Sequence, residues 1–151
     1  FFSYPDMRTS NQLCNRPVSL LDIFPTLSAL CNLPEQKLDG VNIKALIDNP
    51  QAKRGKPVLT TRYYKNHSIR TEDWRYIQYR DGTEELYDHR TDPGEFTNVA
   101  HLKQHNDILD THRSYLPKTN AFAPGEDSFP EDRYDAMVKQ FKDEGIPKWL
   151  Q

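Results

Sequence analysis

Apolar side chains recur at helical spacing near the start of the chain. Leu20, Ile23, Phe24, Leu27, Leu30 and Cys31 fall on one stripe, Ser19 stands as an N-cap, and Asp22 follows three residues later. The pattern predicts an amphipathic helix. Pro25 removes one backbone donor inside it and predicts a kink or a distorted first turn near Leu21, while Asn32 and Pro34 end it. Lys37-Leu38-Asp39-Gly40 reads as a turn, followed by a short segment from Val41 to Ile47 and a loop from Asp48 to Lys56.

The period then changes. Pro57 to Tyr63, His67 to Thr71, Trp74 to Arg80 and Glu85 to His89 have strand composition, with Glu72-Asp73 and Asp81-Gly82 as the turns between the last three. This spacing predicts a small antiparallel sheet of about four strands packed with helices, an α+β arrangement. Asp92-Pro93-Gly94 closes it. Thr97 or Asn98 is placed to cap the next helix, which carries Val99, Leu102, Ile108, Leu109, Tyr115 and Leu116 up to Pro117. Residues 118–132 read as an extended strap. Tyr134, Met137, Val138 and Phe141 predict a last helix closed by Gly145 and Pro147, with Trp149 docking the tail.

Composition narrows the picture. A chain of 151 residues with 36% apolar side chains and 11 prolines is poorly provided for a self-contained core. Further sequence is expected to complete it, and the start at Phe1-Phe2-Ser3 does not read as a natural amino terminus. The net charge of −2, from 20 basic and 22 acidic side chains, supplies no field for nucleic acid or an anionic membrane. No stretch approaches the roughly 20 apolar residues that span a bilayer. Cys14 and Cys31 leave the redox compartment open and are read as two free or separately placed thiols.

Candidate chemistry is sparse. His101, His105 and His112 share one arc of a helical wheel, but that arc also holds Ile108 beside Leu109 and Tyr115, so half-buried packing histidines explain it better than a metal edge. Glu84 and Glu85 are adjacent on a strand and point to opposite faces, so they cannot act as a pair. Lys53, Arg54 and Lys56 read as a solvated basic loop. The stretch Arg62, Tyr63, Tyr64, Lys65, His67, Arg70, Trp74, Arg75, Tyr76, Tyr79 and Arg80 interleaves cations with aromatics. Such a surface could hold an anion or stack a sugar ring. Single-stranded nucleic acid is the rival, disfavoured by the acidic balance and by the lack of an RNA-recognition signature.

Pro17-Val18-Ser19-Leu20-Leu21-Asp22-Ile23-Phe24-Pro25-Thr26-Leu27, then Leu38-Asp39-Gly40-Val41, Ser68-Ile69-Arg70-Thr71-Glu72-Asp73-Trp74-Arg75-Tyr76-Ile77, Glu85-Leu86-Tyr87-Asp88 and Asp92-Pro93-Gly94-Glu95 with Asn98 occur in order. Together they resemble the closing motifs of the sulfatases, members of the alkaline-phosphatase-like superfamily, over roughly Arg16 to Asn120. Ser68-Ile69-Arg70-Thr71 and Tyr115-Leu116-Pro117-Lys118-Thr119-Asn120 lean toward the iduronate-2-sulfatase-like branch.

The resemblance implies sulfate-ester hydrolysis by a formylglycine beside a calcium ion. It also implies that residues 1–47 end a large α/β domain and that 48–151 form the C-terminal subdomain. No Cys/Ser-x-Pro-Ser/Ala-x-Arg context, Asp-Asp pair or Asp-His-Gly segment is present. The nucleophile and calcium ligands are therefore expected outside this chain, on an N-terminal catalytic domain or chain that is its partner. The expected substrate is a sulfated small molecule or carbohydrate. By resemblance, His67 and Arg70 are the substrate-binding candidates, facing the substrate or stabilising the cleft wall, and the setting is periplasmic, extracellular or lysosomal. The alternatives are a phosphoester hydrolase of the same superfamily and a non-catalytic carbohydrate-binding or interaction module.

Overall fold

A computed structural model describes residues 2–5, 7 and 11–121, with isolated positions 136, 139, 140 and 143. The expected helix around Tyr134 to Phe141, the Trp149 tail and most of the 118–132 strap lie outside the described residues.

Ser19 caps a 3-10 turn, Leu20–Asp22, through a capping box in which its side chain accepts from Leu21 N and its own N–H donates to Asp22. Helix α1, Ile23–Leu30, follows. The 3-10 geometry is the distorted entry that Pro25 foreshadows. Beyond Cys31, Asn32 takes a left-handed conformation (φ 53°) that turns the chain away. Helix α2, Lys44–Asp48, is a short helix contributing Leu46 and Ile47 to the interior.

Strands β1 (Val58–Thr61), β2 (His67–Arg70), β3 (Trp74–Gln78) and β4 (Glu84–Asp88) form an antiparallel meander in sequence order. Thr71 N–H donates to Trp74 O, leaving Glu72-Asp73 as a two-residue turn. Gly82, at φ 82°, donates to Tyr79 O, and Tyr79 N–H donates to Thr83 O. This is a three-residue hairpin loop whose left-handed position suits glycine.

One sheet face carries Ile69, Trp74, Tyr76 and Leu86, which pack with Leu109 of helix α3, Asn106–Arg113. Leu59, Val99, Ile108 and Leu116 complete this core. Trp74 and Tyr76 are thus interior residues rather than members of an exposed aromatic surface, because their alternation along β3 places both on the α3 side.

The helix that carries Ile108 and Leu109 begins later than the sequence indicates. Thr97 and Asn98 do not cap it; a 3-10 turn, Lys103–His105, leads into α3. Asn98 instead covers the open edge of β4. Its Oδ1 accepts from Leu86 N (3.1 Å), its Nδ2 donates to Glu84 O (3.3 Å), and Val99 N–H donates to Leu86 O (2.9 Å). A side-chain amide has the donor and acceptor spacing of a peptide group, so it can stand in for a fifth strand.

Candidate functional site

β2 separates the two candidate residues. His67 and Ile69 are buried toward α3, whereas Ser68 and Arg70 point to the opposite face and are partly exposed. His67 lies 2.9 Å from the Thr61 hydroxyl through Nδ1 and 2.7 Å from Asn120 Oδ1 through Nε2. The amide oxygen can only accept, so Nε2 carries the proton and Nδ1 accepts from Thr61. His67 thereby ties the segment after α3 to the start of β2.

Arg70 clasps its own hairpin. One terminal nitrogen donates to the carbonyls of Thr71 (2.8 Å), Glu72 (3.3 Å) and Trp74 (3.1 Å); the other donates to His89 Nδ1 (2.9 Å). His89 Nε2 in turn donates to Glu95 (2.6 Å), against which Arg75 Nε also lies at 2.8 Å as an ion pair without hydrogen-bond alignment. Burial, and secondarily repulsion from Arg75, lowers the Arg70 pKa from its ordinary value. The result is a fixed cluster of Arg70, His89, Glu95 and Arg75 on the side of the sheet away from α3, in which the carboxylate of Glu95 is shared by Arg75 and His89.

The basic loop is not uniformly solvated. Lys53 and Lys56 are exposed, but the Arg54 side chain is 9% exposed and grips fully buried Asp22. Nη2 lies 2.8 Å from both carboxylate oxygens, Nε lies 3.1 Å from one, and Nη1 donates to Pro57 O (2.8 Å). Asp22 also accepts from Ser19 N and Val41 N. Its N-capping role is visible in the sequence. A partner 32 residues away is not.

The three histidines do not share a helix face. His101 precedes the helical region and is exposed, His105 ends the 3-10 turn edge-on to Trp74, and His112 is buried in α3. His112 Nδ1 donates to Ile108 O (2.7 Å) and Nε2 meets the Thr71 hydroxyl (3.1 Å). It packs the core. Glu84 and Glu85 diverge as alternation requires: Glu84 pairs with Tyr76 and Arg113, and Glu85 with Tyr87.

Among the described residues, no three His, Cys, Asp or Glu side chains converge as a metal site. Cys14 and Cys31 are both exposed free thiols, and neither lies in a formylglycine context. No helix among the described residues is long and apolar enough to cross a membrane.

The N-sulphoglucosamine sulphohydrolase C-terminal family model matches residues 1–121. A sulfatase of Formosa agariphila is 34% identical over 137 residues, 89% of this chain and 26% of that protein. A delta 4,5-hexuronate-2-O-sulfatase of Bacteroides thetaiotaomicron is 29% identical over 107 residues, 64% of this chain and 22% of its own length. Among solved structures, a 2-O GAG sulfatase superposes with a TM-score of 0.53 at 25% identity, covering 82% of this chain and 26% of that one. The chain spans about a quarter of the length of these relatives. With the four-stranded meander, the β4 edge covered by Asn98 and a family match that takes in every described element, the chain belongs to the N-sulphoglucosamine sulphohydrolase C-terminal family, the closing domain of sulfatases.

Proposed function

We propose that this chain completes an enzyme that hydrolyses sulfate esters of a sulfated carbohydrate, and that its sheet supplies one wall of the substrate pocket. The observation that carries the reading is the family match across residues 1–121. Its geometric counterpart is the 3-10 turn Leu20–Asp22 together with α1. There the polar residues Asp22 and Thr26 are turned inward and fully buried, while Leu20, Leu21, Ile23, Phe24 and Leu27 are 43–85% exposed. A helix inverted in this way has its apolar face toward something outside this chain.

The missing three quarters of the enzyme provide that cover. Residues 1–47 then form the end of the large α/β domain and 48–151 the C-terminal subdomain, joined across the boundary by Asp22–Arg54. The formylglycine and calcium that supply nucleophile and charge neutralisation in this reading belong to the large domain. A periplasmic, extracellular or lysosomal setting and the iduronate-2-sulfatase-like branch go with the same proposal. His67 and Arg70 shape the cleft wall, His67 by holding Asn120 against β2 and Arg70 by fixing the Glu72-Asp73 turn and the His89 ring on the opposite face of the sheet.

The test is the complete enzyme assayed on matched aryl sulfate and aryl phosphate esters. Preferential sulfate release supports the reading; preferential phosphate release replaces it with a phosphoester hydrolase. Arg70→Ala addresses the wall: a fall of about tenfold or more in kcat/KM, as loss of a well-aligned positioning group produces, is expected. Unchanged kcat/KM with reduced stability would make Arg70 a scaffold residue alone.

A further inference from the structure

With Trp74 and Tyr76 in the core and Arg70 clasping its own turn, the interleaved stretch leaves a compact cluster at one end of the sheet. It is built from the β1–β2 loop, 62–66, and the β3–β4 loop, 79–83. The Arg62 guanidinium lies 5.3 Å from the Tyr63 ring centroid, and Lys65 Nζ and the Arg80 guanidinium lie 5.0 and 5.4 Å from that of Tyr64. Tyr63 is 60% exposed, and Arg62 and Lys65 are exposed as well.

The loops are fixed to each other. Arg62 N–H donates to Asn66 O (2.9 Å), Asn66 Nδ2 donates to Tyr64 O (3.2 Å), and Asn66 Oδ1 accepts from Arg80 N (3.1 Å). Within this frame Tyr63 and Lys65 both hold left-handed backbone, φ 57° and 60°. Glycine adopts that conformation without penalty, and a tyrosine or lysine does not. Folding alone would favour glycine at both positions. That side chains stand there, solvent-facing and supported by Asn66, points to a use for the side chains themselves.

Their chemistry is complementary to a sulfated sugar. An aromatic face stacks on the C–H face of a pyranose, and ammonium and guanidinium groups beside it hold sulfate oxygens by charge-assisted hydrogen bonds. The preset backbone lowers the ordering cost of binding. His67 follows the loop directly, so the cluster adjoins the pocket wall proposed above. We infer that Arg62, Tyr63, Tyr64, Lys65 and Arg80 form a subsite for a further residue of a sulfated carbohydrate chain, beyond the sugar whose ester is cleaved. The inference rests on the sulfatase reading and deepens it.

The experiment uses the complete enzyme with Tyr63→Gly, Lys65→Gly and Tyr63→Phe. Binding of heparin-derived and sulfated galactan hexasaccharides, and of their desulfated counterparts, is measured by calorimetry. Aryl sulfate hydrolysis and thermal unfolding are followed in parallel. The glycine variants are expected to weaken binding of at least one sulfated hexasaccharide by about tenfold, the scale of one lost charge-assisted or stacking contact. Their unfolding midpoints should hold or rise, and aryl sulfate kcat/KM and Tyr63→Phe binding should be unchanged. Absent hexasaccharide binding, equal binding of the desulfated probes or of a single-stranded oligonucleotide, or undiminished binding in the glycine variants overturns the subsite. Hexasaccharide binding with the expected losses, but no sulfate release from any ester, supports the subsite and overturns the hydrolysis.

Discussion

Asp22 shows how much one carboxylate can organise. Burial by itself would raise its pKa, but the bonds from Val41, Arg54 and Ser19 outweigh burial and hold the carboxyl below its ordinary value. A lowered folded value means that the unfolded chain binds the proton more readily. The stabilisation is therefore complete above the unfolded value of about 3.8 and is lost as pH falls through the lower folded one. Arg54→Ala strands the buried carboxylate and should destabilise by about 3–5 kcal/mol, read as a fall in the unfolding midpoint of the complete enzyme, with Lys53→Ala as a near-silent control. His112 has the same sign for a different reason. Its pKa is lowered by burial, opposed by the bond to Ile108 O, so the neutral ring is the folded form. Its contribution should fade as pH drops below the ordinary histidine value of 6.5. Between pH 7.5 and 5 the unfolding midpoint of the complete enzyme should fall less steeply in His112→Asn than in the wild type; equal slopes would remove His112 from the account.

Elements here meet through small, specific contacts. Gly40 passes so close to the 3-10 turn that an added Cβ would lie 2.0 Å from the Leu21 carbonyl oxygen, a backbone atom that cannot swing aside. Gly40→Ala should therefore cost about 1–3 kcal/mol, as other overpacked sites do, again measured by the unfolding midpoint. The same displacement would pull Val41 N from Asp22. At the far edge of the sheet, Asn98→Ala should expose the Leu86 amide. Amide hydrogen exchange at Leu86 is expected to quicken by about tenfold or more, in line with the roughly 1–3 kcal/mol attached to an unsatisfied buried donor. Exchange as slow as in the wild type would mean that the Val99 contact suffices.

For the whole molecule, the outward face of α1 is the dominant fact. A leucine, isoleucine or phenylalanine gains about 1.5–3 kcal/mol when fully buried, and the five such side chains of the 3-10 turn and α1 remain 43–85% exposed. Expressed by itself, the chain should self-associate. Leu20→Asp with Phe24→Asp should make it more soluble while preventing its assembly with the rest of the enzyme, both readable by size-exclusion chromatography. A solitary, stable wild-type monomer would favour a freestanding binding module.

Local chemistry already written in the chain determined the meander, the capping box at Ser19, the distorted entry before Pro25 and the glycine turn at Gly82. Each depends on neighbours within a few residues, where period, cap and turn preference act directly. The resemblance to sulfatases was legible for a related reason, since its motifs are the turns and edges that these short elements require. Tertiary structure decided what depends on distant partners. Arg54 left the solvated loop for Asp22, Asn98 gave up a helix cap for the edge of β4, and Trp74 and Tyr76 went to the interior. His67 and Arg70 parted to opposite faces because adjacent-looking positions on a strand differ by the parity of their spacing, and only a packed sheet fixes which parity is inside.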